Sequence, residues 1–185
     1  NRPVIFSWNQ QGGFPSIAQW ADTGERLAVL PATGCVTSAC EYDGGALCVI
    51  DGGTAGRTIA DTHGRLYPLA ARSILRVGAT VYAGGNDGLV YELVGSRWMG
   101  YTTAAVQGRI MSMVSHAGFL WLTDEKANVW LVNVRGGVRQ IRTGDGIKVG
   151  WFGPPLAVDG DSVVVAAKVP DGNGWRCVVE RMEIV

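Results

Sequence analysis

The chain has 185 residues, 47% of them hydrophobic and 17% charged, enough apolar material for one packed domain and too much for a disordered one. Glycine contributes 27 residues, about twice its usual share of roughly 7%, without the three-residue period of collagen. Sixteen basic residues balance sixteen acidic ones, and the longest apolar run (residues 163–167) has five, which excludes the charge footprint of a nucleic-acid or membrane-surface binder and a membrane-spanning helix of ~20 residues.

The chain begins at Asn1 rather than methionine, as expected of a cleavage site or the boundary of an ordered region. Residues 1–185 are read as one domain, whole or part of a longer chain. A first hairpin is predicted from residues 4–8 and 16–20 around Gly12-Gly13, followed by a strand at 25–30. A second hairpin occupies 38–50, turning at Asp43-Gly44-Gly45, with strands at 57–61 and 65–69 after it. A third occupies 73–84, turning at Gly78, with strands at 89–94 and 97–102. A fourth occupies 111–122, turning at Gly118, with strands at 128–134 and 138–142. A fifth occupies 155–165, turning at Gly160, with a last strand at 175–182. Asp87-Gly88, Asp159-Gly160 and Asp171-Gly172 supply the positive φ angles of tight turns.

The turn glycines Gly13, Gly44, Gly78, Gly118 and Gly160 recur at intervals of 31, 34, 40 and 42 residues. Up to four short antiparallel strands in each repeat of about 37 residues predict an all-β chain folded as a small β-propeller of four or five blades. A β-sandwich with regularly spaced hairpins is the alternative. The first repeat has little room for a fourth strand and the last ends after its third; residues 3–8 could close the final blade, and a five-bladed ring, a four-bladed ring with an extra hairpin and a piece of a larger propeller stay open.

The stretch Val81-Tyr82-Ala83-Gly84-Gly85-Asn86-Asp87-Gly88-Leu89-Val90-Tyr91-Glu92-Leu93, with Trp98 after it, resembles a shortened kelch repeat: a hydrophobic run, a glycine doublet, an aromatic and then a tryptophan. Leu47-Cys48-Val49-Ile50-Asp51-Gly52-Gly53 resembles the first half of another. The resemblance covers two of the five repeats. It implies a propeller of kelch-like or generic bacterial and phage type, a class used mostly as binding scaffolds.

Four cysteines are present: Cys35, Cys40, Cys48 and Cys177. A hairpin turning over Asp43-Gly44-Gly45 pairs Tyr42 with Ala46 and so sets Cys40 opposite Cys48, at a separation slightly wide for a disulfide. Cys35 and Cys177 are left to join the first and last blades. Four buried thiols are the other reading. No pair has CxxC spacing and there are only two histidines, so no metal site and no cofactor is expected.

No catalytic motif is present. His63 and His116 fall at turns, no G-x-S-x-G elbow occurs, and Arg72, Arg76, Arg97, Arg135, Arg139 and Arg142 keep no common blade position. Asp159-Gly160-Asp161 and Asp171-Gly172-Asn173-Gly174 read as ordinary turns. The candidate binding residues are Trp98, Trp121, Trp130 and Trp175, which either fill gaps between blades or line a face that stacks on sugar rings or anchors a protein. The expected function is a non-enzymatic structural or protein-interaction module in a larger virion, secretion or surface assembly. That assembly would be extracellular, periplasmic or virion-associated, with a protein partner; a lectin-like glycan binder is the alternative.

Overall fold

The computed structural model describes residues 4–7, 16–21, 24–52, 56–101, 106, 108–133, 137–142 and 156–183, with side chains 4–27, 142, 167–170 and 175 outside the description. Eighteen strands and no helix are found among these residues. They form five antiparallel sheets in which spatial neighbours are also sequence neighbours. The first sheet holds β1 (Val4–Ser7), β2 (Ser16–Ala21) and β3 (Gly24–Val29). The second holds β4 (Cys35–Tyr42), β5 (Gly45–Asp51), β6 (Arg57–Asp61) and β7 (Leu66–Tyr67). The third holds β8 (Ala71–Val77), β9 (Thr80–Gly85), β10 (Val90–Val94) and β11 (Arg97–Tyr101). The fourth holds β12 (Ile110–His116), β13 (Phe119–Asp124), β14 (Val129–Asn133) and β15 (Gly137–Arg142). The fifth holds β16 (Leu156–Asp159), β17 (Ser162–Asp171) and β18 (Gly174–Met182).

This meander of short antiparallel blades is an all-β propeller fold. The five predicted repeats correspond to the five sheets, and the first and last carry three strands each. Residues 4–7 pair with β2, Val4 opposite Gln19, forming the first predicted hairpin and not closing the last sheet. No helix of the described residues is long and apolar enough to cross a membrane.

Tight turns fix the registers. Asp43 (φ 48°) and Gly44 (φ 71°) form the two-residue connection between β4 and β5, and Ala117 (φ 50°) with Gly118 (φ 79°) connects β12 to β13. Two successive positive φ angles match the twist of the flanking strands, which is why Asp-Gly suits the site. Tyr42 therefore faces Gly45, not Ala46, and the register moves by one residue: Cys40 lies opposite Leu47, and Cys48 opposite Ala39. Alternation along a strand then sends the Cys40 and Cys48 side chains to opposite faces of the sheet. The expected Cys40–Cys48 bridge is absent. Cys35 and Cys177 are exposed free thiols, and all four cysteines are unpaired.

The chain divides into two compact units, residues 1–83 with 92–99, and residues 84–91 with 100–185. In the first, Leu30, Ala46, Cys48, Ile50 and Ala60 form a core flanked by Ala32, Val36 and Ala39. Ser38 ties β4 to β8, its Oγ accepting from the Ile74 amide at 3.1 Å and donating to the Ile74 carbonyl at 3.4 Å. In the second, Trp121, Val129, Leu156, Val163 and Val165 form the core between the fourth and fifth sheets. Burying ~200 Å² of indole there is worth about 5 kcal/mol before conformational entropy.

Candidate interaction surface

The four predicted tryptophans do not share a face. Trp121 and Trp130 are buried, at 1% and 6% exposure, which fits the packing reading of these two and not the binding-face one. Trp121 points from β13 into the core with β16 and β17. Trp130 turns inward to donate its Nε1–H to Asp124 Oδ2 at 3.0 Å. Trp98 is half-buried on β11, edge-on to Tyr67 with ring centroids 6.4 Å apart. Trp175 lies in β18 opposite Pro170, and its side chain is outside the described residues.

Two buried aspartates and a third, exposed one build a device that the sequence reading missed. Asp61 Oδ1 accepts from the amides of His63 and Arg65 (3.0 and 2.8 Å), and its Oδ2 accepts from the Tyr67 hydroxyl at 3.1 Å. Asp124 repeats this at identical offsets, Oδ1 accepting from the amides of Lys126 and Asn128 (2.9 and 3.0 Å) and Oδ2 from Trp130 and the Asn128 amide group. Residues three further on, Gly64 (φ 91°) and Ala127 (φ 61°), take the left-handed conformation. The amides of Asp61 and Asp124 donate to the carbonyls of Arg65 and Asn128. A third turn has the same backbone bond, Gly85 N–H to Leu89 carbonyl, and the same left-handed position, Gly88 (φ 82°). Its carboxylate comes from Asp87 instead, which accepts from the Leu89 amide at 3.1 Å and the Tyr91 hydroxyl at 2.6 Å. A Cβ on Gly85 would collide with Asp87 Oδ1 and lie 2.8 Å from the Tyr91 ring, so the glycine vacates the space the displaced carboxylate fills. The sequence signal is an Asp six residues before an aromatic with a left-handed residue between. These carboxylates are consumed by local amides and hydroxyls, an arrangement that holds turns and leaves no free base.

Both histidines are likewise engaged in the framework. His63 Nε2 donates to the Asp43 carbonyl at 2.9 Å, and His116 Nε2 to the Asp161 carbonyl at 3.0 Å. No group of three or more His, Cys, Asp or Glu side chains fit to hold a metal occurs among the described residues.

What the second unit does present is an uncovered sheet face. β17 pairs Val163 with Val158 and Met182, and Ala166 with Val179. One face of β16–β18 therefore carries Leu156, Val163 and Val165 into the Trp121 core. Alternation puts Ala157, Asp159, Val164, Ala166, Cys177, Val179 and Arg181 on the other. There Val179 is 68% exposed, Val164 is half-buried and the rest are exposed. Asp159 and Arg181 form an ion pair on this face. Ser162, opposite Asp159, and Lys168, opposite Cys177, fall on the same face by register, with Ser162 buried, and β18, the outer strand, has no neighbour on its far side within its sheet.

No family model matches the chain, and no curated protein matches it. Among solved structures, it is similar to the crystal structure of the computationally designed Ika4 protein, with 14% identity and a TM-score of 0.55, covering 88% of this chain and 99% of that one. It is also similar to the computationally designed Ika8 protein, with 14% identity and a TM-score of 0.59, covering 94% of this chain. The chain spans 54% of the Ika8 length. At such identity the likeness concerns the fold alone.

Proposed function

We propose that this chain is a non-enzymatic protein-interaction module, a propeller serving within a larger assembly such as a virion or secretion complex, and that it engages its partner through the outward face of β16–β18. The observation that carries this reading is the exposure of Val179, Ala166 and Ala157 on that face, while Leu156, Val163 and Val165 of the other face are packed. A contiguous apolar face left open to water marks an interaction site in soluble proteins. The glycine-doublet stretch around Gly84-Gly85 favours a kelch-like scaffold, which suits the same role. Burial of Trp121 and Trp130 takes two of the four candidate tryptophans from the lectin-like alternative.

The test is site-specific photo-crosslinking in the producing cells, with a benzophenone amino acid at Val179 and, as control, at the exposed turn residue Gly172. A discrete protein adduct from position 179, several-fold stronger than from 172, is the expected result. Equal adducts from both positions, or none from 179, would overturn the reading.

A further inference from the structure

We infer that Asn173, at the tip of the β17–β18 hairpin, is a site of spontaneous modification, its carboxamide nitrogen lost as ammonia through attack by the Gly174 amide nitrogen. The inference does not rest on the outward face of the fifth sheet receiving a partner. Sequence supplies the first observation. Of Asn1, Asn9, Asn86, Asn128, Asn133 and Asn173, the last alone precedes a glycine. The others precede residues whose Cβ crowds the nitrogen that must approach the side chain.

Geometry supplies the second. β17 pairs with β18 from Val163 opposite Met182 to Asp171 opposite Gly174, whereas β16 pairs with β17 only as far as Val165. Past that point, residues 166–171 and 174–179 form a two-stranded arm with no third strand among the described residues of their sheet. Pro170, which brings no amide proton to the ladder, stands opposite Trp175 next to the turn. A two-stranded ribbon is marginal by itself, so its tip opens at less cost than the sheet it springs from. Gly172 (φ 57°) and Asn173 make the turn, and every residue from Asp171 to Gly174 is exposed. A Cβ built on Gly174 would meet only the Asp171 carbonyl oxygen, at 3.7 Å, so little crowds the backbone there. Asn128, by contrast, has its side-chain amide held by Asp124 Oδ2 at 2.6 Å.

In the opened tip the Gly174 nitrogen attacks Asn173 Cγ. The N–Cγ bond forms and the Cγ–Nδ2 bond breaks. Ammonia leaves, carrying away the Gly174 amide proton, and a succinimide ring remains. Water then cleaves one of two ring C–N bonds. Cleavage at Cγ returns a normal backbone with aspartate, and cleavage at the Asn173 carbonyl carbon leaves isoaspartate, with the chain routed through Cβ and Cγ. No oxidant or reductant takes part. Either product puts a new negative charge beside Asp171 on a chain whose formal net charge is zero. Isoaspartate also lengthens the backbone of a turn that the Asp171–Gly174 pairing limits to two residues.

The experiment is incubation of the full chain at neutral pH and physiological temperature, sampled over weeks, with peptide mapping by mass spectrometry and enzymatic detection of isoaspartate. The peptide holding Asn173 is expected to gain one mass unit and split into aspartate and isoaspartate forms, several-fold faster than those holding Asn86, Asn128 or Asn133. Gly174→Ala adds a methyl group that meets nothing nearer than 3.7 Å, and Asn173→Gln requires a larger ring. Each should slow the reaction several-fold while far-UV circular dichroism stays that of the wild type. A parallel sample unfolded in urea sets the rate of the open tip, and the native rate is expected within several-fold of it. Asn173 reacting no faster than the other asparagines, or Gly174→Ala reacting as fast as wild type, overturns the assignment. Reaction in urea with none in the native chain overturns it as well, because the fold then seals the tip.

Discussion

Asp124 shows how much a single side chain holds. It is fully buried and its carboxylate accepts from two amides, the Asn128 side chain and the Trp130 indole. Bonds to an ionised acceptor are the strong ones, and their loss leaves buried donors unsatisfied. Asp124→Ala is expected to cost about 3 kcal/mol, lowering the thermal midpoint by about 6–12 °C, whereas Asp159→Ala, whose pair is exposed, costs under about 1 kcal/mol. Calorimetry on the two variants checks the contrast. Titration adds a second expectation. Cys40 and Cys48 are each pushed up from 9.0 to about 12, chiefly by burial. Tyr67 and Tyr91 are each pushed up from 10.0 to about 12, burial again leading, with Asp61 and Asp87 beside them adding to it. The fold favours the protonated forms, so their stabilisation is full below about pH 9 and is lost as pH rises through 12. Denaturant midpoints followed by circular dichroism should fall over that window. Which tryptophan is buried was not legible: Trp98, Trp121 and Trp130 all sit in strands with similar neighbours, and only the sheet opposite decides.

At the scale of the element, most strands were readable closely, although β7 is two residues where 65–69 was expected, β4 begins three residues early at Cys35 and β17 runs six residues past 165 to Asp171. The run 57–61 coincides with β6, and those at 97–102 and 138–142 fall within a residue of β11 and β15, because apolar alternation ends abruptly at glycine turns. Register was harder. Asp43-Gly44-Gly45 admits a turn of two residues or three, and the choice moves every side chain of the partner strand by one position. The chemical consequence is measurable. With all four thiols free, Cys35 and Cys177 are expected to react with a thiol reagent in the native protein at neutral pH. Cys40 and Cys48, held protonated by burial, should react only as the chain unfolds. Equal rates for all four, or fewer than four adducts in unreduced denatured protein, would contradict this register.

For the whole molecule, fold and function differ in legibility for a physical reason. The repeat period announces a propeller because each sheet needs the same turn chemistry at the same interval. The use of the surface is carried by what remains uncovered, and Ala157, Val164, Ala166 and Val179 read in sequence as ordinary strand residues. Nothing local distinguishes the packed face of β16–β18 from the open one; both alternate apolar positions along the same three strands. The same fold hosts unrelated tasks, so architecture alone selects none of them.

The third aspartate turn also bears on how such a chain can diverge. Asp61 and Asp124 deliver a carboxylate from the opening position of their turns, while the turn opened by Gly85 delivers it from Asp87 two places later, in each case to the amide four places and the aromatic six places beyond the opening residue. Two residue columns are thus interchangeable carriers of one charge. Aspartate and glycine can trade places between those columns in paired steps, changing the column-by-column sequence while the turn keeps its hydrogen bonds. The likeness of these turns lies in where an oxygen sits rather than in which letter precedes it.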